Sequence, residues 1–326
     1  MVEILEMMRG AKMAVETCLG VKPKERVLIV TDYDRMSIAM ALTAAAEAIG
    51  GDPVISTMRP RGHHGEEPPE PVAAAMKTAD VVFIPSSRSL THTTAREKAT
   101  ATGARLASMP GITEGMMKRG GITADYHRVA ELSWKLTELL RGVKEGEITT
   151  PLGTNLRLGL EGREPGTPPD TGLYLKPGEW GNLPAGEAYI APLENRAEGV
   201  VVVDGSITQI GLPAQPVTLE FREGRVVRIE GGQEATRLRN LLEGLEDKNA
   251  YVIAELGIGT NEAAQVIGIT LEDEKVLGTV HLAIGRNTGF GGVNMSKVHL
   301  DFIMTKPTLK LDGQVVMTDG HLTVQG

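Results

Sequence analysis

Within the first 145 residues, short uninterrupted apolar runs alternate with segments of helical texture, and this alternation limits the fold more than any other feature. The strand segments are Val27 to Val30, Pro53 to Thr57, Asp80 to Pro85 and Arg105 to Ser108, the first apolar throughout and the others apolar in part. Between them lie an Ala-rich stretch, Ser37 to Ile49, ended by Gly50-Gly51, and shorter helical stretches near Pro71 to Thr78 and Thr93 to Thr102. A strand that is apolar at every position, rather than at every second one, is covered on both faces. Strands of that kind separated by helices make a parallel sheet with helices on either side. The sequence therefore predicts a doubly wound α/β domain over residues 1–145, opened by an amphipathic helix at 3–19 and closed by a long helix from Ala124 to Leu140.

The texture changes after that helix. Residues 145–186 are rich in Gly and Pro, with EPGTPPDTG and LKPGEWGNLPAGE breaking any helix. Short strands follow: Val200 to Val203, Val217 to Phe221 paired with Val226 to Ile229, and Tyr251 to Glu255. One helix, Gln233 to Leu245, interrupts them, and Asp312-Gly313 turns a hairpin between Leu309 to Leu311 and Val315 to Met317. The expected architecture is α/β plus α+β, a doubly wound parallel-sheet domain at 1–145 followed by a β-rich domain at 146–326.

Charge and composition narrow the function. With 34 Lys and Arg against 42 Asp and Glu, the net charge of −8 argues against a binder of nucleic-acid phosphates. Aromatic residues, at 3 %, offer little for base stacking. No run approaches the roughly 18 apolar residues of a membrane span, and the N-terminus has no apolar signal region. Cys18, the one cysteine, has no partner for an internal disulfide, which suits a reducing compartment. A cytoplasmic protein without membrane or nucleic-acid partners is the expectation.

The parallel-sheet half lacks a nucleotide signature. No strand-to-helix turn carries G-x-G-x-x-G, and Gly257-Ile258-Gly259 places Glu262 where the third glycine belongs. Ligands of such sheets bind beyond the carboxyl ends of the strands. Those ends are Asp32-Tyr33-Asp34, the segment from Arg59 to His64, and the segment from Ser86 to His92.

The residues that carry chemistry lie in the second half. In VHLDFIM, read as a strand, His299 and Asp301 share a face among apolar neighbours. Such a pair is costly to bury without a partner, and a divalent cation is one partner; an edge strand whose polar face meets water is the other explanation. His281 lies in an apolar run upstream. Glu187 begins an apolar strand after a Pro-Ala-Gly turn, and Glu255 ends the run Tyr251 to Ala254 before a Gly-rich turn. Either acid alone reads equally as a solvated loop residue. Together the five supply nitrogen and oxygen donors that suit zinc, cobalt, manganese or ferrous iron. Five ligands exceed one tetrahedral zinc, so two bridged metals fit the count. His63 and His64 read as solvated loop residues, and His127 and His321 as surface residues. Arg286 and Asn287 fit either a grip on a substrate carboxylate or a Gly-rich hairpin.

The segments NLPAGEAYIAP, AELGIGTN, GTVHLAIGR and VHLDFIM resemble, in order and spacing, metallo-aminopeptidases of the aminopeptidase T and aminopeptidase S type. That resemblance implies an α/β domain before a metal domain, a homodimer, and two divalent metals on Glu187, Glu255, His281, His299 and Asp301. It also implies hydrolysis of small peptides by metal-activated water, with Glu187 or Glu255 as base. The tyrosine those peptidases carry after the first histidine is Thr288 here, and the segment between the histidines is shorter. The run SLTHTTAREKATATGARLASMPGIT resembles a second branch of the superfamily, 2,5-dihydroxypyridine 5,6-dioxygenase. This implies one ferrous ion on His281, His299 and Asp301, with His92 as an acid–base group. The structural alternative for His92 is a polar residue at a helix start capped by Thr91.

Overall fold

The computed structural model describes residues 2–323. The chain divides into two compact units, Met1–Ala130 with Asp170–Ala185, and Glu131–Pro169 with Gly186–Gly326.

In the first unit, β1 (Arg26–Asp32), β2 (Asp52–Met58), β3 (Val81–Ser86) and β4 (Arg105–Pro110) run parallel. The next two strands, β5 (Glu145–Thr149) and β6 (Asn155–Gly159), belong to the second unit. Then β7 (Trp180–Asn182) pairs in parallel with β4, giving the order β2-β1-β3-β4-β7. The stretch from 145 to 186 therefore holds three short strands between the turns its composition announces. Helix α1 (Val2–Lys12) packs on α2 (Met36–Ala48), which packs on β1 and β2. On another part of the sheet, Leu28, Val30, Val82, Ile84 and Leu106 cluster with Val72 and Met76 of α3 (Glu70–Met76) and with Ala95 and Ala99 of α4 (Thr94–Ala101). Side chains alternate along each strand, so Val27, Ile29, Val81 and Phe83, all buried, serve the opposite face. The remaining helices here are α5 (Glu114–Arg119) and α6 (Tyr126–Leu140), and the division between units falls within α6.

Arg26 at the entry of β1 grips Asp80 at the entry of β3, Nη2 to Oδ1 at 2.6 Å, while its backbone N–H donates to Oδ2 at 2.8 Å. The Arg26 side chain, helped by that backbone bond against a small burial penalty, pulls the Asp80 carboxyl from 3.8 to about 2. Because folding lowers this pKa, the stabilisation is present above pH 3.8 and fades as the pH falls toward 2. Asp80→Asn should remove that part of the acid sensitivity. Urea midpoints of wild type and variant should converge on acidification, and a constant gap down to the acid limit would refute it.

The second unit continues with β8 (Glu187–Ile190), β9 (Ala197–Val203), β10 (Val217–Arg222), β11 (Arg225–Glu230), α7 (Gln233–Gly244) and β12 (Ile253–Gly259). After these come α8 (Thr270–Asp273), β13 (Val280–Gly285), β14 (His299–Met304), β15 (Thr308–Leu311), β16 (Gln314–Thr318) and β17 (His321–Leu322). An eight-stranded antiparallel sheet has the order β11-β10-β9-β6-β5-β15-β16-β17. A four-stranded antiparallel sheet has the order β14-β13-β12-β8. The hairpins β10–β11 and β15–β16 form where the sequence predicts them, the second through Asp312 and Gly313 at φ 47° and 79°. Val201, Val203, Leu156, Leu158 and Ile148 of the large sheet share one core with Ile190, Leu256, Leu282 and Phe302 of the small one. Among the described residues no helix is long and apolar enough to cross a membrane.

Candidate metal centre

The four-stranded sheet assigns its residues by parity. Ala188, Ile190, Leu256, Ile258, Val280, Leu282, Ile284, Leu300, Phe302 and Met304 all join the core cluster. Alternation then turns Glu187, Gly257, His281, His299 and Asp301 to the other face. Ile253 is in the core although it lies two residues before Glu255, so a regular strand would drive Glu255 inward too. A register shift between Ile253 and Glu255 resets the alternation and delivers Glu255 to the outer face.

Pairing then sets the neighbours. Asp301 lies opposite Ala283, which lies opposite Glu255. Gly257 sits between His281 on β13 and Tyr189 on β8. A Cβ on Gly257 would come within 2.1 Å of both Cε1 and Nε2 of His281, so the imidazole occupies the space glycine leaves. Gly257→Ala should displace that ring, cost about 1–3 kcal/mol as overpacking and lower metal content. Full metal loading in this variant, measured after dialysis, would show that the ring position is not needed.

The five predicted residues converge. His281 Nε2 is 3.4 Å from Glu187 Oε2 and 3.8 Å from Glu255 Oε1. His299 Nε2 is 3.0 Å from Glu255 Oε2 and 3.1 Å from Asp301 Oδ1. Two donor groups result, Glu187–Glu255–His281 and Glu255–His299–Asp301, and Glu255 offers one oxygen to each. A third group, Glu274–His281–Asp301, adds an acid absent from the sequence-based set.

Outer contacts orient these donors. His299 Nδ1 lies 2.7 Å from the Arg286 carbonyl, an acceptor only, so Nδ1 carries hydrogen and donates. Nε2 is thereby left facing two carboxylates, and either a second proton or a cation must lie between them. Asp301 Oδ2 accepts from the Thr208 hydroxyl at 3.0 Å. Lys275, 1 % exposed, donates to Glu187 Oε1 at 2.6 Å and lies 2.9 Å from Glu274 Oε1. Glu274 and Lys275 escaped the sequence reading because LEDEK looks like a solvated charge run; no local pattern marks them as buried.

The charge balance calls for cations. Among the described contacts, Glu187 and Glu274 share the Lys275 ammonium, while Glu255 and Asp301 meet the imidazoles, so acids outnumber fixed cations in a largely buried space. Burial opposes charge on both histidines, but interaction with Glu255 and the charge of Glu187 outweigh it at His281 and lift that imidazole to about 9. At His299 the same burial is overcome chiefly by Asp301, and the imidazole rises well above its usual range. Glu255, despite burial, is held low by both histidines. Protons thus fill the places a divalent ion would take, and metal binding would release them. The all-oxygen-and-nitrogen donor set fits zinc, cobalt, manganese or ferrous iron.

His92 lies in the first unit, exposed, on the turn before α4. The cap of that helix is Thr93, which accepts from the Arg96 N–H; the sequence reading gave this role to Thr91. Thr91 instead bonds Ser108 at 2.7 Å. Its hydroxyl is committed to the neighbouring strand, and the cap shifts to the next hydroxyl in line. His63, His64, His127 and His321 are exposed. Asn287 is buried and holds its own loop, donating to Glu194 and accepting from Asn294, which favours the hairpin explanation over a substrate grip.

A sequence profile of the NicX family, described as 2,5-dihydroxypyridine 5,6-dioxygenase, matches residues 6–324. The chain belongs to the NicX family. This member is similar to 2,5-dihydroxypyridine 5,6-dioxygenase of Pseudomonas putida, 26 % identical over 262 residues, 76 % of this chain and 72 % of that protein. It is also similar to aminopeptidase AmpS of Bacillus subtilis, 25 % identical over 159 residues, 43 % of this chain and 37 % of that one. Its fold is that of the solved 2,5-dihydroxypyridine dioxygenase from Pseudomonas putida KT2440 (TM-score 0.78, 21 % identity, 98 % and 97 % of the two chains). The same fold recurs in wild-type AmpT from Thermus thermophilus (TM-score 0.74, 18 % identity, 98 % and 99 % covered). Both expected resemblances, to the dioxygenase and to the aminopeptidases, are found in this NicX-family chain, a member of an enzyme family.

Proposed function

We propose that this protein is a mononuclear ferrous ring-cleaving dioxygenase acting on a hydroxylated heteroaromatic of the 2,5-dihydroxypyridine class. The observation that carries the reading is likeness along nearly the whole chain to enzymes named for that reaction. The donors include the two imidazoles and one carboxylate, His281, His299 and Asp301, that ferrous oxygenases use, Asp301 sharing one donor group with each imidazole. When bound there, ferrous iron would supply open positions and one-electron chemistry for oxygen and ring. The protein groups do the rest. The Arg286 carbonyl and the Thr208 hydroxyl fix the orientations of His299 and Asp301. Lys275 draws Glu187 Oε1 away from the donor centre. Glu255 and Glu274 are carboxylates beyond that three-residue set, able to accept the proton of a ring hydroxyl.

A second reading, a two-metal aminopeptidase, is favoured by Glu255, whose two oxygens face separate donor groups. Anaerobic purification, metal quantification and two assays separate them. The dioxygenase reading expects one iron per chain and oxygen uptake with 2,5-dihydroxypyridine. Two zinc-class ions per chain, leucyl arylamide hydrolysis and no oxygen uptake would replace it with the peptidase. Cytoplasmic location and a homodimeric assembly are part of the same proposal.

A further inference from the structure

Four of the five donors are closed off, and one is not. Side-chain exposure is 1 % at His281, 4 % at Glu255 and 11 % at Glu187 and Asp301, but 25 % at His299. His299 is the most exposed of these five donors. The ring of Phe290 stands there, its centroid 5.0 Å from the His299 imidazole and tilted by 40°. Tyr189 meets Phe290 edge-on at 5.5 Å. Tyr189 follows Glu187 by two residues on β8, so it stands on the donor face of the sheet. Its ring packs against Gly166, where a Cβ would come within 2.1 Å.

The loop that carries Phe290 is built. Asn287 accepts from the Asn294 N–H at 2.7 Å and donates to Glu194 at 2.9 Å. Glu194 also accepts from the Val293 N–H at 2.8 Å and pairs with Arg163, which donates to the Gly291 carbonyl at 2.7 Å. Gly292 has no room for a side chain, since a Cβ would meet Asn287 at 2.1 Å. The chain has only 4 Phe, 5 Tyr and 2 Trp, and one of these rings meets His299 while a second meets the first.

We propose that Phe290 and Tyr189 form an aromatic wall at the mouth of the metal centre that selects a flat ring and holds it beside His299. The proposal rests on the ring-substrate reading and adds the residues that recognise the ring. Edge-to-face and offset contacts with such a ring give selectivity without hydrogen bonds.

Equilibrium binding of 2,5-dihydroxypyridine to the anaerobic, iron-loaded protein tests it, with Phe290→Leu, Phe290→Ala and Phe290→Tyr compared against wild type. Leucine keeps most of the packing on Tyr189 but not the ring. Leucine and alanine should weaken binding about tenfold, and tyrosine should stay within about twofold of wild type. Metal content and thermal midpoint, read on the same samples, should stay at wild-type values. Leucine or alanine variants that bind the ring as wild type does would overturn the wall. Absence of oxygen uptake in wild type, with ring binding still dependent on Phe290, would remove the dioxygenase reading and leave the wall standing. Failure of wild type to bind 2,5-dihydroxypyridine or benzoate, while it binds leucine amide, would remove both.

Discussion

Replacing Glu255 with alanine should weaken metal binding at this centre about 10–100-fold. Glu255 is the one carboxylate that touches both imidazoles, at 3.8 Å from His281 and 3.0 Å from His299. It belongs to two of the three donor groups. In the dioxygenase reading Glu255 is an outer contact to both imidazoles, and losing such a contact commonly costs 10–100-fold in metal affinity; in the two-metal reading it is itself a ligand, and the loss should be about 100-fold or more. Activity should fall with occupancy under either functional reading. Glu255→Gln keeps the shape and removes the charge, and it should behave nearly as badly. Metal per chain after dialysis against a weak chelator is the measurement. Wild-type metal affinity in both variants would mean that Glu255 neither ligates nor orients the metal, and would leave the centre to the remaining donors.

Lys275→Met should destabilise the metal-free protein by about 3 kcal/mol, the lower end for a buried pair that loses one partner. Lys275 is 1 % exposed and bonded to Glu187, with Glu274 at 2.9 Å. Without the ammonium, two carboxylates face each other across a dry space. Burial already pushes the Glu274 carboxyl up, and the Lys275 charge is the main influence holding it down. Metal should repair part of the damage, because a bound cation supplies the missing charge and stabilises by mass action. Urea midpoints with and without metal read both effects. The variant should start lower and gain more from metal than wild type does. Equal midpoints in the metal-free state would show that the carboxylates have another counter-charge.

How much of this was legible in the sequence differed by element. The central parallel strands β1 and β3 were, because burial on both faces writes itself as the unbroken apolar runs VLIV and VVFI, whereas β2, DPVISTM, is half-exposed. The hairpin at Asp312-Gly313 was, because that turn needs residues that tolerate positive φ. His299 and Asp301 could be paired because two residues apart on a strand means one face. Strand β7 could not: a strand of three residues, WGN, has no periodicity to read, and only its pairing with β4 defines it. The bulge before Glu255 was equally hidden, since Tyr251 to Ala254 looks like a plain apolar run and the reset of alternation shows only in the register. Glu274 and Lys275 were invisible for a third reason. Charged residues are assumed to be solvated, yet Lys275 is buried and Glu274 largely so, because the ammonium is matched by Glu274 and Glu187.

The division of labour within the four-stranded sheet restricts how this centre can change. Core filling and ligation are interleaved along the same strands, so inserting or deleting one residue inside β13 or β14 would send imidazoles into the hydrophobic interior and leucines to the surface. Strand length is therefore frozen where substitution is still tolerated. The connection between β13 and β14, residues 286–298, is not under that restriction, because it begins and ends outside the pleats. New chemistry in proteins built on this sheet should be gained by lengthening, shortening or rewriting that connection, with the donor strands kept in step.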